Sequence, residues 1–504
     1  MFEIVAFMSG ALVMVLEMVG ARVLAPHLGT SVVVWTSLIG VVLACLALGA
    51  WYGGRLADRE ASRRRLASIL AGAGLGTVGT ALLHGVVGES IVSHVQSLHM
   101  GAVLAAVVLF ALPATLFGMG TPLVIRLCIN DVATSGRTVG RINALSTAGS
   151  ILGTFLGGFV LVSFFDSTHI LLGAGAGMLL LSLLTWPRRI AARLSLLLMT
   201  GVAGWAVTSY ASFMDGMGAP VVVETPYNHI RILDAHAQDG RIMRCLVTDP
   251  GRMQSAMYPD APDELALSYT RFFALGPALV PDAGRVLMLG GGGYSIPRWL
   301  LSGQSGLDAT RLTVDVVELD PGLTEVARQH FGLRDDDARL RIHHADARVF
   351  CNRNRERFDL VFVDVFGSHY SVPFHAGTQE AAAAMRAAVD DNGALLMNVI
   401  AAQEGEAGRL YQAVRGALES QFAEVHTFAV RDAADLATTQ NLMLVAFPVP
   451  RPDLAPLVRQ GLGSQGEVRR MLAARVTPPR DVNVLPLRDG YAPVERYAIS
   501  LLKR

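Results

Sequence analysis

The chain is short of charge. Only 17% of its 504 residues are Asp, Glu, Lys or Arg, where an ordinary soluble chain carries roughly 25%. Hydrophobic residues make up 52%, so disorder, which needs few apolar residues and much charge, is excluded. Lysine is nearly missing. Lys503 is the single one, and the 42 basic residues, almost all Arg, balance 42 acidic ones to a formal net charge of zero. A chain with no net charge has no global field to gather nucleic acid, and no nucleic-acid partner is expected. Cysteine is scarce too. Cys45, Cys128, Cys245 and Cys351 have neither disulfide-framework nor metal-ligand spacing, so no metal is expected.

The apolar residues that are present are unevenly spread. Residues 1–213 hold long apolar runs, and residues from about 220 to 504 have the composition of a soluble domain. About 18 or more consecutive apolar residues can cross a bilayer core as a helix. Candidate spans lie near 3–25, 31–54, 66–88, 101–126, 143–165, 168–186 and 191–213, about seven in all. The first is not a cleaved signal peptide, because it lacks a basic start and further spans follow it. The expected organisation is a polytopic α-helical membrane domain at 1–213, a small β unit and linker at 214–262, and a nucleoside-binding α/β domain at 263–504.

Loop charges give an orientation, since cytoplasmic loops are enriched in Arg and Lys. Arg55, Arg59 and Arg63 to Arg65 follow the second span, Arg126, Arg137 and Arg141 the fourth, and Arg188, Arg189 and Arg193 the sixth. The alternate loops, Pro26–Ser31, Glu89–His99 and Asp166–His169, carry no Lys or Arg. The reading is a multi-pass protein of the cell (inner) membrane, with the lipid bilayer as a partner and its N-terminus in the cytoplasm. Seven spans would put the C-terminal half outside; one span fewer would keep it in the cytoplasm.

Two features mark the membrane half. Glu17 lies inside the first span, where an ionisable group is costly. Either Arg22, five residues on, pairs with it, or it handles substrate. Gly149, Gly153 and Gly157 recur every four residues, a spacing that lets helix backbones approach closely. The stripe serves packing within the chain or a dimer or substrate groove.

In the second half the period changes. Alternating runs in Val221–Met257 suggest a small antiparallel β unit, and Asp263–Leu279 reads as a helix. Strands and helices then alternate. Strands are expected at Arg285–Leu289, Thr313–Glu318, Leu340–His344, Phe358–Asp364 and Gly393–Ile400, with helices at Ser295–Leu301, Gly322–Phe331 and Gly377–Ala388. Such alternation implies a parallel, doubly wound sheet, whose ligands bind beyond the carboxyl ends of the strands. There the sequence places Gly290, Gly291, Gly292 and Gly293, then Glu318, Asp346 and Asp364. A glycine turn permits close backbone approach, and an acid after the second strand suits ribose hydroxyls. No Gly-Lys-Ser/Thr follows the glycines, so this is not a phosphate loop. Position 295 is Ser where a dinucleotide fingerprint has its third Gly, which favours an adenosyl site.

These stretches carry a resemblance. Thr225-Pro-Tyr227-Asn228, Asp249-Pro-Gly-Arg-Met-Gln254, Leu289–Gly293, Val317-Glu318-Leu-Asp320, Ala345-Asp346-Ala, Phe358–Asp364 and the terminal Leu487–Glu495 resemble the spermidine synthase-like aminopropyltransferases, which have a class I methyltransferase fold. The first half, with Glu17, Arg22, Pro26, Gly29, Trp35, Gly53–Arg59 and Gly149–Gly157, looks like the membrane region of fused membrane–spermidine synthase proteins. The resemblance implies S-adenosylmethionine or decarboxylated S-adenosylmethionine as co-substrate. It also implies a small-molecule amine or membrane-associated acceptor, and a possible homodimer. Glu318 matches the acid that holds the ribose, Asp346 the acid at the adenine amino group, and Asp364 the acid that helps deprotonate the amine. Tyr227, Asn228, Gln254 and Tyr269 match substrate-side positions.

Three departures concern the amine half. Gly293 stands where the family has an Asp for the aminopropyl ammonium, Gly367 replaces a second acid, and Tyr269-Thr270-Arg271 replaces Tyr-His-Glu. A dication such as putrescine needs buried carboxylates, so ordinary putrescine is not the expected acceptor. The loop after Asp364 carries His369, Tyr370 and His375, candidates for proton transfer near neutral pH. The expected function is membrane-tethered alkyl or aminopropyl transfer to an amine. The alternatives are a methyltransferase or other adenosyl enzyme, and a carrier or sensor of polyamine or nucleoside with an inactive soluble half.

Overall fold

The computed structural model describes residues 1–29, 31–95, 97–129, 131, 134–186, 221–237, 239–249, 252–334, 336–365, 374–454, 465–477, 484–494 and 496–497. The chain divides into two units, residues 1–220 with 224–226, and residues 221–223 with 227–504.

The first unit is helical. Its helices are α1 (Phe2–Leu28), α2 (Val32–Glu60), α3 (Arg63–His94), α4 (Leu98–Cys128), α5 (Ser135–Phe155), which runs on through a wider π-helical turn at Leu156–Leu161, and α6 (Ser167–Thr185). Six helices among the described residues are long and apolar enough to cross a membrane. The seventh expected span, 191–213, lies outside the described residues. Apolar residues face both inward and outward. Leu16, Val19 and Leu38 are buried, while Leu112, Phe159 and Phe164 are exposed, as suits a bundle whose outer surface meets hydrocarbon.

Small residues decide how these helices meet. A Cβ on Gly149 would come within 1.9 Å of the Phe7 carbonyl oxygen, and one on Gly153 within 2.2 Å of the Ala11 carbonyl oxygen. The stripe on α5 therefore packs within the chain, against α1. Gly49 and Gly118 bring α2 and α4 together in the same way, with Cβ positions 2.0 Å from the Thr115 and 2.4 Å from the Leu46 carbonyl oxygens. Where such helices lie in lipid, which offers no hydrophobic drive between them, close backbone contact of this kind is what packs them. Arg22 donates to the Val162 carbonyl at 3.0 Å, just past the π-helical turn.

The second unit opens with a four-stranded sheet, β1 (Val221–Glu224), β2 (His229–His236), β3 (Ile242–Asp249) and β4 (Arg252–Met257), in chain order, with β2–β3 and β3–β4 antiparallel. The expected helix at Asp263–Leu279 is instead three short turns, at Ser268–Arg271, Phe272–Ala274 and Leu275–Leu279. Pro277 lacks the N–H that a continuous helix would use there. An eight-stranded sheet follows: β5 (Arg285–Leu289), β6 (Thr313–Glu318), β7 (Leu340–His344), β8 (Phe358–Val363), β9 (Val389–Ala401), β10 (Glu424–Ala429), β11 (Gln440–Phe447) and β12 (Arg475–Val476). The helices between its strands are α7 (Ser295–Leu301), α8 (Pro321–His330), α9 (Ala347–Arg353), α10 (Gln379–Ala388) and α11 (Gly405–Glu419).

The spatial order is β12-β10-β11-β9-β8-β5-β6-β7. β5 to β9 are parallel, and β11 is antiparallel to both β9 and β10. Counted in chain order the parallel strands run 3-2-1-4-5, the order of doubly wound nucleotide-binding sheets. The side-chain period of two sends Val286 and Met288 to one face and Leu287 and Leu289 to the other, and all four are buried. Both faces are thus covered by helices, each such side chain contributing about 1.5–3 kcal/mol. The order reverses between β5 and β8. There the first crossovers leave in opposite directions and open a crevice at the strand ends.

Candidate active site

The chain leaves β5 through Gly290–Gly293. Gly290 and Gly292 have φ of 94° and 52°, a left-handed backbone that a Cβ disfavours. Space is short as well. A Cβ on Gly290 would lie 2.5 Å from the Asp364 carbonyl oxygen, and one on Gly291 2.8 Å from the Tyr294 ring. Tyr294, at φ 56°, is the one non-glycine residue with positive φ among the described residues. Its fully buried ring and a 2.8 Å hydrogen bond between its hydroxyl and Thr324 Oγ1 hold it there. Gly293 donates to Ser255 Oγ at 2.9 Å and is not among the residues lining the cavity described below.

Glu318, at the end of β6, fixes this loop. Its Oε2 accepts from the backbone N–H of Gly291 at 2.8 Å and of Gly292 at 3.2 Å, and its Oε1 accepts from Asp320 N–H at 2.9 Å. A carboxylate has about four lone-pair positions, so one remains for a ligand hydroxyl. Burial raises its pKa above the ordinary value, against the lowering effect of the three backbone donors. Asp320, fully buried, caps α8 through Gly322 N–H at 2.9 Å and accepts from Asn228 Nδ2 at 2.7 Å. Asn228 thus ties the start of β2 to the sheet.

Asp346 follows β7 and caps α9, Oδ1 accepting from Val349 N–H at 2.9 Å. His375 Nε2 lies 3.1 Å from its Oδ2. A segment near the C-terminus secures this corner. Asp489 accepts from Thr378 Oγ1 at 2.6 Å and from Arg348 at 3.0 Å, joining the starts of α9 and α10.

Asp364 stands after β8, across the reversal from the glycine loop, and its N–H donates to the Leu289 carbonyl at 2.9 Å. Asn398 Nδ2 donates to its Oδ1 at 2.9 Å, and Asn441 Nδ2 donates in turn to Asn398 Oδ1 at 3.0 Å. The Tyr269 hydroxyl lies 3.1 Å from both Asp364 Oδ2 and the Gln254 carbonyl, and its one proton serves one acceptor at a time. Burial raises the Asp364 pKa from its ordinary value, opposed by the bonds from Asn398 and Tyr269. Burial first, then the Asp364 charge, pushes the Tyr269 phenol well above its usual pKa. Tyr269 therefore stays a donor and Asp364 a proton acceptor of more than ordinary basicity.

These groups line one cavity of about 590 Å³, which includes Gly290 to Gly292, Glu318, Asp346, Asp364, His375, Tyr227, Asn228, Gln254 and Tyr269. Tyr227 is half exposed, and Gln254 Oε1 accepts from Thr248 Oγ1 at 2.8 Å. His369 and Tyr370 lie outside the described residues, as does Gly367. Arg271 is a correction. It donates to the Leu265 carbonyl at 2.9 Å and faces a separate groove with Glu264, Trp299 and Glu467, because residues two apart on the helical turn Ser268–Arg271 point to opposite sides. No group of three or more His, Cys, Asp or Glu able to hold a metal occurs among the described residues.

Asn398, Asn441 and Arg431, all lining the cavity, are absent from the sequence reading. A signal existed for Asn398, a polar residue inside the apolar run Gly393–Ile400, since a buried amide needs a partner. Asn441 and Arg431 gave no local signal, because their strand and turn reach the site only through the sheet order.

No family model matches the chain, and no curated protein matches it. Among solved structures it is similar to a probable spermidine synthase from Corynebacterium glutamicum, with 17% identity over 54% of this chain and 97% of that one, at a TM-score of 0.43. It is similar to a spermidine synthase in complex with the transition state analogue AdoDATO, with 17% identity over 51% and 85%, at 0.39. A third is the human methyltransferase-like protein 13 in complex with SAH, with 20% identity over 44% and 98%, at 0.31. The chemistry of this chain is therefore read from its own side chains.

Tyr269→Phe removes one of the two bonds that lower the Asp364 pKa. Its carboxyl titration should move further up, read as the infrared carboxyl band that Asp364→Asn deletes. An unchanged or downward titration would show that the Tyr269 bond does not act on the acid.

Proposed function

We propose that the α/β unit binds an S-adenosylmethionine-type donor and transfers an alkyl group from it to an amine, and that the helical unit tethers it to a bilayer. One observation carries this reading: a left-handed glycine loop, a buried Glu and a basic Asp, at three neighbouring strand ends of a doubly wound sheet, line one cavity. The residues fit an adenosyl group. Glu318 keeps a lone pair beside the glycines for a ribose hydroxyl, and Asp346 lies one strand further, where the base would extend. The loop leaves no room for a Cβ at Gly290 or Gly291, so backbone rather than side chain meets the ligand.

A sulfonium donor supplies an activated carbon and a neutral thioether leaving group. The acceptor nitrogen forms the new C–N bond as the C–S bond breaks, and one proton must leave the nitrogen. Asp364 is the acid placed to take it. Asn398 and Tyr269 hold its two oxygens in a fixed plane, and its raised pKa brings its basicity closer to that task. The protein's other contribution is alignment of the two reactants.

One observation favours methyl transfer as a second reading. Glu318, Asp346 and Asp364, the carboxylates that line the cavity, all already hold donors, so none of them is left whole for an aminopropyl ammonium. Product mass distinguishes the two, because a methyl group adds far less than an aminopropyl group.

Asp364→Asn should lower turnover by at least about a hundredfold, the usual size of a general-base contribution, and leave nucleoside binding intact. Unchanged turnover would remove Asp364 from the chemistry. We also place the catalytic unit in the cytoplasm, where adenosyl donors are made. An even number of crossings, as six helices long and apolar enough to span would give, returns the chain to the side of its N-terminus. A reporter fused after Arg504 should be active only in its cytoplasmic form; activity of a periplasm-dependent reporter would reverse this placement.

A further inference from the structure

The charges that line the cavity are not all matched. Its acids are Glu318, Asp346 and Asp364. Three backbone N–H groups occupy Glu318, Val349 N–H and His375 occupy Asp346, and Asn398 and Tyr269 occupy Asp364. Its bases are His375, already against Asp346, and Arg431. Arg431 forms no ion pair among the described residues, and the one acid it is seen to influence, Asp435, feels it more weakly than its bonds to Thr438 and Ala437.

Arg431 is also held in place. It follows β10, and its backbone N–H and that of Asp432 both donate to Oε1 of buried Gln440, at 2.9 and 3.1 Å. Gln440 Nε2 donates back to the carbonyls of Asp432 at 2.8 Å and Asp435 at 3.3 Å. Val430 N–H bonds the Asn441 carbonyl at 3.1 Å. A buried amide thus clamps the turn that carries an exposed guanidinium at the cavity. In the sheet order Arg431 lies beyond Asp364, on the side away from Glu318 and Asp346. Three strand spacings, roughly 14 Å, separate β8 from β10. An extended Arg side chain and a short aliphatic chain bridge that distance together.

Resting on the adenosyl reading above, we infer that the far end of this cavity takes an aliphatic carboxylate, seated on Arg431. A guanidinium meets a carboxylate with two parallel, charge-assisted bonds and repels an ammonium. The carboxylate has two possible sources, the amino-acid end of an undecarboxylated donor or an acceptor that pairs its amine with an acid.

Two pairs of probes, titrated calorimetrically into the full chain in detergent, separate these sources. The first pair is S-adenosylmethionine against its decarboxylated form. The second, with methylthioadenosine saturating, is 4-aminobutyrate against putrescine, which has an ammonium where the former has a carboxylate. In at least one pair the carboxylate member should bind tenfold or more tightly than its twin. Arg431→Gln should abolish that preference and Arg431→Lys keep part of it, while both bind methylthioadenosine as the wild type does. A preference in the first pair assigns the carboxylate to the donor, and one in the second assigns it to the acceptor. No preference in either pair, or one that survives Arg431→Gln, overturns the inference and leaves the adenosyl reading standing. Failure of the wild type to bind methylthioadenosine overturns both.

Discussion

The site depends on one carboxylate and three backbone amides. Glu318 reaches from the end of β6 under the glycine loop and takes the N–H groups of Gly291 and Gly292 on one oxygen and that of Asp320 on the other. Without those bonds a run of four glycines has little reason to keep one course, because glycine loses more conformational freedom on ordering than any other residue. With them, the loop passes so close to Asp364 and Tyr294 that side chains are excluded. The same interaction commits a buried charge, whose cost is offset by the amides it binds. The acid that shapes the loop is then also the one proposed to bind a ribose, with one lone pair to spare.

The remaining parts of the site hang from that fixed edge. Asp364 sits across the sheet reversal, held by a line of amides from β9 and β11, and Tyr269 closes its other side. Asp346 is drawn into the cap of α9 and a contact with His375. Few polar groups at the bottom of this cavity stand idle, which is how buried polar networks hold one geometry. Arg431, at the rim, is the exception among its charged residues. In the helical unit fixed geometry has a different source: small residues on α2, α4 and α5 let backbone meet backbone.

Much of this was legible in the sequence, for local reasons. The parallel strands β5 to β8 show as short apolar runs, and the polar residues that end them mark the edge where the cavity lies. Of the seven apolar runs expected to span a membrane, six are long apolar helices among the described residues. Gly149 and Gly153 announced close packing, although their partner, α1, is set by the bundle and not by the stripe. Arg271 follows Tyr269 closely in sequence yet faces another groove, because residues two apart on a helical turn point to opposite sides. What else escaped notice was non-local. Asn441 and Arg431 come to the site because β11 inserts antiparallel between β9 and β10, a choice no local pattern reveals. Glu318 was legible as a polar residue ending the second strand, but its grip on the loop became visible only with the backbone in place.

The most direct test of this account is a structure of the full chain determined with methylthioadenosine bound. The account predicts the ribose hydroxyls at hydrogen-bond distance from Glu318, with the base toward Asp346 and the sulfur toward Asp364. A nucleoside seated elsewhere on the protein, or a ribose turned away from Glu318, would contradict it.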